Sequence, residues 1–275
     1  MNEIKEKKER KKKKLKWQVK LFLIIIVFFL YAFFIGTRII ITKEFRIKTD
    51  KIDDNTHGMK ILQFSDLNYG YQINEDTLKE LKKKINDTKP DVVIFTGDLI
   101  YNKNKISQDD EKKLTSYLSE IQSEYGKYYI NGEEDNEISS SILNNSGFIN
   151  LEDNEQLIYK SNKTPILITS KEKAKAFFES NENFSYYKML VLHNPDDFDS
   201  VKEFNFDLVI AGHNLNGYIG IPKIKDLFIS SKYKNAYQKI DNTSFFINPG
   251  IGTRNLKFRI FNHPKIYLFR LNKVS

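Results

Sequence analysis

The pattern of apolar and polar positions divides the chain into two unlike parts. The first is a run without charge, Leu21-Phe22-Leu23-Ile24-Ile25-Ile26-Val27-Phe28-Phe29-Leu30-Tyr31-Ala32-Phe33-Phe34-Ile35-Gly36. Apolar residues cover every face of this stretch, so it lacks the single stripe by which a helix joins a soluble core. A bilayer's hydrocarbon is crossed by about 20 largely apolar residues, and about 17 suffice. Residues 21–37 therefore predict one transmembrane helix. No A-x-A-like cleavage site occurs in Phe34-Ile35-Gly36-Thr37-Arg38, and the helix reads as an uncleaved signal anchor.

The second part begins near Lys60, where short apolar runs alternate with polar segments of helical period. This is the pattern of an α/β domain with a largely parallel sheet and crossover helices. Strands are predicted at Lys60–Ser65, Asp91–Thr96, Lys127–Ile130, Gln156–Tyr159, Pro165–Ile168, Lys188–Leu192, Asp207–Ala211, Ser244–Ile247 and Ile266–Leu271. Helices are predicted at Glu75–Asn86, Gln108–Glu124, Lys171–Ser180 and Asp196–Glu203. Residues 38–54 read as a connector with an edge strand at Phe45–Ile47, and residues 55–275 as the domain. Roughly 235 residues follow the apolar run, enough for one α/β domain with a full core.

Charge changes the picture at the N-terminus. Residues 1–20 hold ten basic and three acidic side chains, a net +7 of the chain's +8, so the domain itself is close to neutral. A neutral domain lacks the basic face that nucleic-acid binding requires, and no nucleic acid is expected. Basic residues flanking a span stay cytoplasmic, which predicts a single-pass cell-membrane protein with residues 1–20 as a cytoplasmic tail and the domain extracellular. The lysine run also suits contact with anionic membrane lipids. The chain has no cysteine, so disulfides and thiolate metal sites are excluded.

The ends of four predicted strands carry the candidate chemistry. Ile61-Leu62-Gln63-Phe64-Ser65 runs into Asp66, Val92-Val93-Ile94-Phe95-Thr96-Gly97 into Asp98, Met189-Leu190-Val191-Leu192 into His193, and Leu208-Val209-Ile210-Ala211-Gly212 into His213. Ligands bind beyond the carboxyl ends of strands in open α/β sheets, so these four metal-capable side chains are expected to converge. His57 and His263, the other two histidines, have no such placement and read as surface or packing residues.

Together with Gly132-Glu133-Glu134-Asp135, Leu192-His193-Asn194-Pro195-Asp196, Gly212-His213-Asn214-Leu215-Asn216-Gly217 and the ending Asn248-Pro249-Gly250-Ile251-Gly252-Thr253, this pattern resembles the calcineurin-like metallophosphoesterases, in their bacterial membrane-anchored form. The resemblance covers about Lys60 to Leu271. It implies a four-layer α-β-β-α sandwich and hydrolysis of phosphate esters at two adjacent divalent metals. Asp98 matches the aspartate that bridges both ions, Asp66 a ligand of the first, and His193 and His213 ligands of the second.

Four positions depart from the family. Asn68 replaces the histidine of D-x-H, and Leu215 the second histidine of G-H-x-H, so the first metal loses its nitrogen ligands. Glu133 and Glu134 replace the asparagine that binds the second metal and the catalytic histidine. The resemblance then implies one divalent metal, Zn, Mn or Fe, held by Asp98, Glu133, His193 and His213. Asp66, Asp98 and a weak carbonyl donor, Asn68, leave room for a second, loosely held Mg²⁺ or Mn²⁺, and Glu134 is a weak candidate acid. Two further readings stand beside an impaired hydrolase: a pseudoenzyme binding a phosphorylated ligand, a lipid headgroup or an envelope partner, and a purely structural metal.

Overall fold

The computed structural model describes residues 2–101, 106–160, 164–213, 219–221, 223–227, 229–254 and 256–274. The chain opens with helix α1 (Asn2–Leu30), which continues through one π-helical turn, Tyr31–Ile35. The basic tail and the apolar run thus share one continuous helix. Among the described residues it is the one helix long and apolar enough to cross a membrane, spanning Ile4–Ile35.

The remaining strands are β1 (Ile41–Thr49), β2 (Lys60–Phe64), β3 (Val92–Phe95), β4 (Lys127–Tyr129), β5 (Phe148–Asn150), β6 (Gln156–Ile158), β7 (Ile166–Ser170), β8 (Tyr187–Val191), β9 (Leu208–Ala211), β10 (Tyr237–Ile240), β11 (Thr243–Ile247) and β12 (Lys265–Lys273). Helices α2 (Glu75–Asp87), α3 (Gln108–Ser119), α4 (Glu137–Asn145) and α5 (Lys171–Ser180) connect them. Two sheets result, in the orders β1-β12-β2-β3-β4-β5 and β10-β11-β9-β8-β7-β6. Their central pairs β2–β3, β3–β4, β7–β8 and β8–β9 are parallel.

Alternation along the strands builds four layers. Leu62, Phe64, Val93 and Phe95 face outward onto Leu78, Leu81 and Ile85 of α2, Leu114 and Leu118 of α3, and Ile142 and Leu143 of α4. Ile61, Val92 and Ile94 face inward and meet Ile168, Met189, Val191, Leu208 and Ile210 of the second sheet. Leu190, Val209 and Phe245 face the other way, onto Ala174 of α5 and onto Phe198 and Val201. Both faces of the central strands are largely buried, which is why they read as nearly continuous apolar runs rather than alternating ones. The architecture is the α-β-β-α sandwich expected from the sequence.

Several element readings are corrected. Asp196–Glu203 is two 3-10 turns, Pro195–Ser200 and Lys202–Phe204, not one helix. The α3 helix stops at Ser119 rather than Glu124, because Gln122 N–H donates to Asn86 and Tyr125 N–H to Asp91, turning the chain toward β4. The edge strand β1 has nine residues where three were expected, all in parallel register with β12. Helix α4 and strands β5 and β10 carry too little periodicity to be read.

Helix α1 ends against the domain. Ala32 is fully buried and its carbonyl accepts from Arg259 N–H at 3.0 Å. Tyr31 hydroxyl lies 3.1 Å from His263 Nε2, and Phe28 and Tyr31 both pack on Phe261. A Cβ at Gly36 would sit 2.1 Å from the Arg259 carbonyl oxygen, so this close approach admits glycine alone.

Candidate metal centre

The strand ends deliver their side chains through strained turns. Asp66, Asn68, Asp98 and His213 all have positive φ, between 47° and 65°. Left-handed backbone is costly for residues with a Cβ and collects at functional sites, with Asn, Asp and His tolerating it best. Gly97 completes the turn after β3 at φ 87°, and a Cβ there would collide with Gly132 N and His193 Nδ1, both 2.6 Å away. Backbone bonds then lace the ends together: Asp66 N–H to Gly97 O at 2.9 Å, Asn68 N–H to Asp98 O at 3.0 Å, and Gly212 N–H to His193 O at 3.1 Å.

One corner of the site is built by Asp98, His193 and His213, whose ligand atoms all lie within 4.8 Å of one another. His193 Nδ1 is 2.7 Å from the Thr96 carbonyl. A carbonyl only accepts, so Nδ1 carries a proton and Nε2 faces the corner, the orientation a metal-ligating histidine needs. That Nε2 lies 3.5 Å from Asp98 Oδ2 and 3.2 Å from His213 Nδ1. A tetrahedral ion with bonds of ~2.0–2.1 Å sets neighbouring ligand atoms about 3.3 Å apart. The separations therefore suit one such ion.

Charge in this corner is tightly coupled. Burial alone would push His193 down, but the hydrogen bond and charge of Asp98, with Asp66 behind it, raise it to about 10. Burial works against Asp98 as well, yet His193, the Glu134 N–H and Arg254 hold its carboxyl below the usual value. His213 is lowered by burial and by the positive charge on His193. An ion held by Asp98, His193 and His213 would take the place of the His193 Nε2 proton.

The other corner is formed by Asp66 and Asn68, both fully buried. Asp66 Oδ2 accepts from Ser65 Oγ and, at 3.2 Å, from His213 N–H. Among the described residues its Oδ1 has no hydrogen-bond partner, and neither does either polar atom of the Asn68 amide nor Asp98 Oδ2. Burial pushes Asp66 up to about 7 despite the pull of His193. The donors here are oxygens, with no imidazole among the described residues, so the set does not match a tight zinc or iron site. Leu215 lies outside the described residues.

The Gly132 loop places the two replaced positions at the rim. Asp135 is half-buried and its carboxylate accepts from Asp98 N–H (2.8 Å), Leu99 N–H (2.9 Å) and Gly132 N–H (2.8 Å), clamping this loop onto the β3 turn. Glu134 N–H donates to Asp98 Oδ1 at 3.1 Å. The Glu133 side chain is 54% exposed, with Oε1 3.9 Å from His213 Nδ1, and stands outside the three-residue cluster. Glu134 Oε1 receives Arg254 Nη2 at 2.8 Å, while Arg254 Nη1 lies 3.5 Å from Asp98 Oδ2.

Arg254 was missed in the sequence. It follows the ending Asn248–Thr253 by one residue, and a cation directly after a Gly-rich turn at the end of an apolar strand was the available signal. His57 and His263 take part elsewhere: His57 Nδ1 accepts from Lys273 N–H, and His263 meets Tyr31.

Comparison with known proteins agrees with this geometry. The family model of calcineurin-like phosphoesterases matches residues 59–216. The chain is 25% identical to the metallophosphoesterase YkuE of Bacillus subtilis over 89% of its own length and 90% of the relative's. It is 26% identical to YkoQ of the same organism, covering 82% and 90%. A third relative, the UDP-2,3-diacylglucosamine pyrophosphatase LpxG of Chlamydia muridarum, is 20% identical, covering 78% and 84%.

Proposed function

This chain belongs to the calcineurin-like phosphoesterase family, and from that premise we propose that it is a membrane-anchored phosphoester hydrolase working with one tightly held divalent metal, Zn²⁺, Mn²⁺ or Fe²⁺. The observation that carries this reading is the convergence of Asp98, His193 and His213 at separations suited to a single ion. Bound there, an ion supplies Lewis-acid polarisation of a phosphoryl oxygen and acidifies water.

The chain's own groups do the rest. The Thr96 carbonyl fixes the His193 tautomer, and Asp135 holds the Asp98 turn against the Gly132 loop. Glu133 stands at the rim, outside the three-residue cluster, and would reach the ion only by turning its exposed side chain inward. Glu134 occupies the place of the family's catalytic histidine, but its carboxylate is engaged by Arg254 and is poorly placed to donate a proton. A general acid is typically worth about 10²- to 10⁴-fold, and turnover is expected to be reduced on that order.

The anchor brings the site to a bilayer, which favours phosphomonoesters, phosphodiesters or pyrophosphates carried by amphiphiles. The pyrophosphatase relative, named for an acylated sugar nucleotide, supports that class. In this reading the tail is cytoplasmic and touches anionic lipid, and the domain is outside. Protease added to intact cells should remove the domain and spare the tail; a protected domain reverses the orientation.

The ion pair of Glu134 with Arg254, where the family has a histidine, favours a second reading. The fold then serves as a non-catalytic binder of a phosphorylated ligand, a lipid headgroup or an envelope partner. One assay separates the two. The full chain in detergent, loaded with Mn²⁺, should cleave an aryl phosphodiester, and Asp98→Asn should bring turnover to the metal-free blank. Parent activity no higher than that blank leaves the binder.

A further inference from the structure

We propose that Arg254 is a substrate-binding residue: its guanidinium supplies the positive charge that the Asp66–Asn68 corner has lost with its nitrogen ligands, and it grips the phosphoryl group of the substrate directly. This rests on the single-metal reading above and adds the group that replaces the other ion.

Three observations place Arg254 for that role. First, its loop is tied to the Asp66 side of the site, since Ile251 N–H donates to Ser65 O at 2.9 Å and Gly252 N–H to Asp66 O at 2.8 Å. The chain then rises past Asn68, and a Cβ at Gly252 would lie 3.1 Å from that of Asn68. Secondly, Nη1 reaches within 3.5 Å of Asp98 Oδ2, the oxygen that His193 also faces at 3.5 Å. The guanidinium and the metal corner therefore flank one carboxylate from opposite chain segments. Thirdly, the side chain is 28% exposed while Asp98 is 1% exposed, so the cation lies between the buried acids and solvent, where an anion must arrive.

The charge balance requires such a group. Asp66, Asp98, Glu133 and Glu134 surround the site, and a phosphate approaching them with one ion alone meets like charge on several sides. A planar guanidinium matches phosphate with two parallel N–H donors, which lysine cannot reproduce. The loop is also rigid enough to aim it. The buried Arg259 guanidinium donates to the carbonyls of Pro249 (2.9 Å), Gly250 (3.2 Å), Gly252 (2.5 Å) and Asn262 (3.1 Å), fixing the segment from which Arg254 extends. Glu134 holds the guanidinium in register with Asp98.

The test uses the full chain in detergent, loaded with Mn²⁺, with inorganic phosphate as the probe. The parent and Arg254→Gln should each carry about one ion per chain, while phosphate affinity falls about 10- to 100-fold in the variant, the loss expected for one charge-assisted contact. Arg254→Lys, which keeps the charge but not the fork, should fall between the two. Phosphate affinity within twofold of the parent in Arg254→Gln, with its ion retained, overturns the proposal.

A measurement on the parent alone guards against a misfolded variant. Phosphate should protect Arg254 from an arginine-selective dicarbonyl reagent, read by peptide mass, and modification at an unchanged rate overturns the proposal equally. Two tightly bound ions in the parent would instead overturn the single-metal reading on which it rests.

Discussion

Two corners share one aspartate and have diverged in kind. The His193–His213 corner keeps its two facing nitrogens 3.2 Å apart, with His193 Nε2 3.5 Å from Asp98 Oδ2 and a backbone carbonyl orienting the inner ring. The Asp66–Asn68 corner keeps the same strained turns and is fully buried, but among the described residues Asp66 Oδ1 and the Asn68 amide are left without hydrogen-bond partners. Backbone geometry has therefore outlasted donor chemistry. The turn after β2 is set by bonds to Gly97 and Asp98, which do not depend on the side chain at 68.

The largest effect should come from breaking the richer corner. His213→Ala should lower Mn²⁺ or Zn²⁺ affinity by more than about 100-fold, beyond the 10- to 100-fold usual for groups that merely orient ligands. Elemental analysis after dialysis should find the ion gone, and a retained ion would place it elsewhere. Next, restoring nitrogens to the poorer corner with Asn68→His and Leu215→His together should raise tightly held metal from about one ion per chain to about two. An unchanged count would mean that more than two side chains separate the corners.

The smallest effect is one of pH. His193 is raised to about 10, above its unfolded value of about 6.5, so in the metal-free protein the His193–Asp98 pair stabilises fully below about pH 6.5. That contribution is lost as pH rises through 10. A metal must displace the same proton, so its affinity should climb about tenfold per pH unit from 6.5 to 8.5. Calorimetric titration of Mn²⁺ across that range checks it, and a flat profile would show that Nε2 is already unprotonated.

What was legible in the sequence follows the same division. Strands buried on both faces are nearly continuous apolar runs, so Val92–Phe95, Leu208–Ala211 and Ile61–Phe64, interrupted by Gln63 alone, stood out, and the residues just past them marked the site. Helix α4 did not stand out, because Glu137-Ile138-Ser139-Ser140-Ser141-Ile142-Leu143-Asn144-Asn145 is rich in poor helix formers. It is held by the Asn136 cap, which accepts from the N–H groups of Ile138 and Ser139, and by burial of Ile142 and Leu143. Arg254 was hidden for another reason: its partners Glu134 and Asp98 lie more than a hundred residues away, and no local period records such a pairing.

The close approach of Gly36 to Arg259 makes the first 37 residues more than a tether. The last helical turns pack on Arg259, Phe261 and His263, so excising them would uncover the Arg259 main chain and free Phe261 and His263 of that packing. A soluble fragment starting at Phe45 would also lack Ile41 through Glu44 of the nine-residue edge strand. Such a fragment would lack part of the packing and of the edge strand that the whole chain has, and its properties are not those of the whole chain.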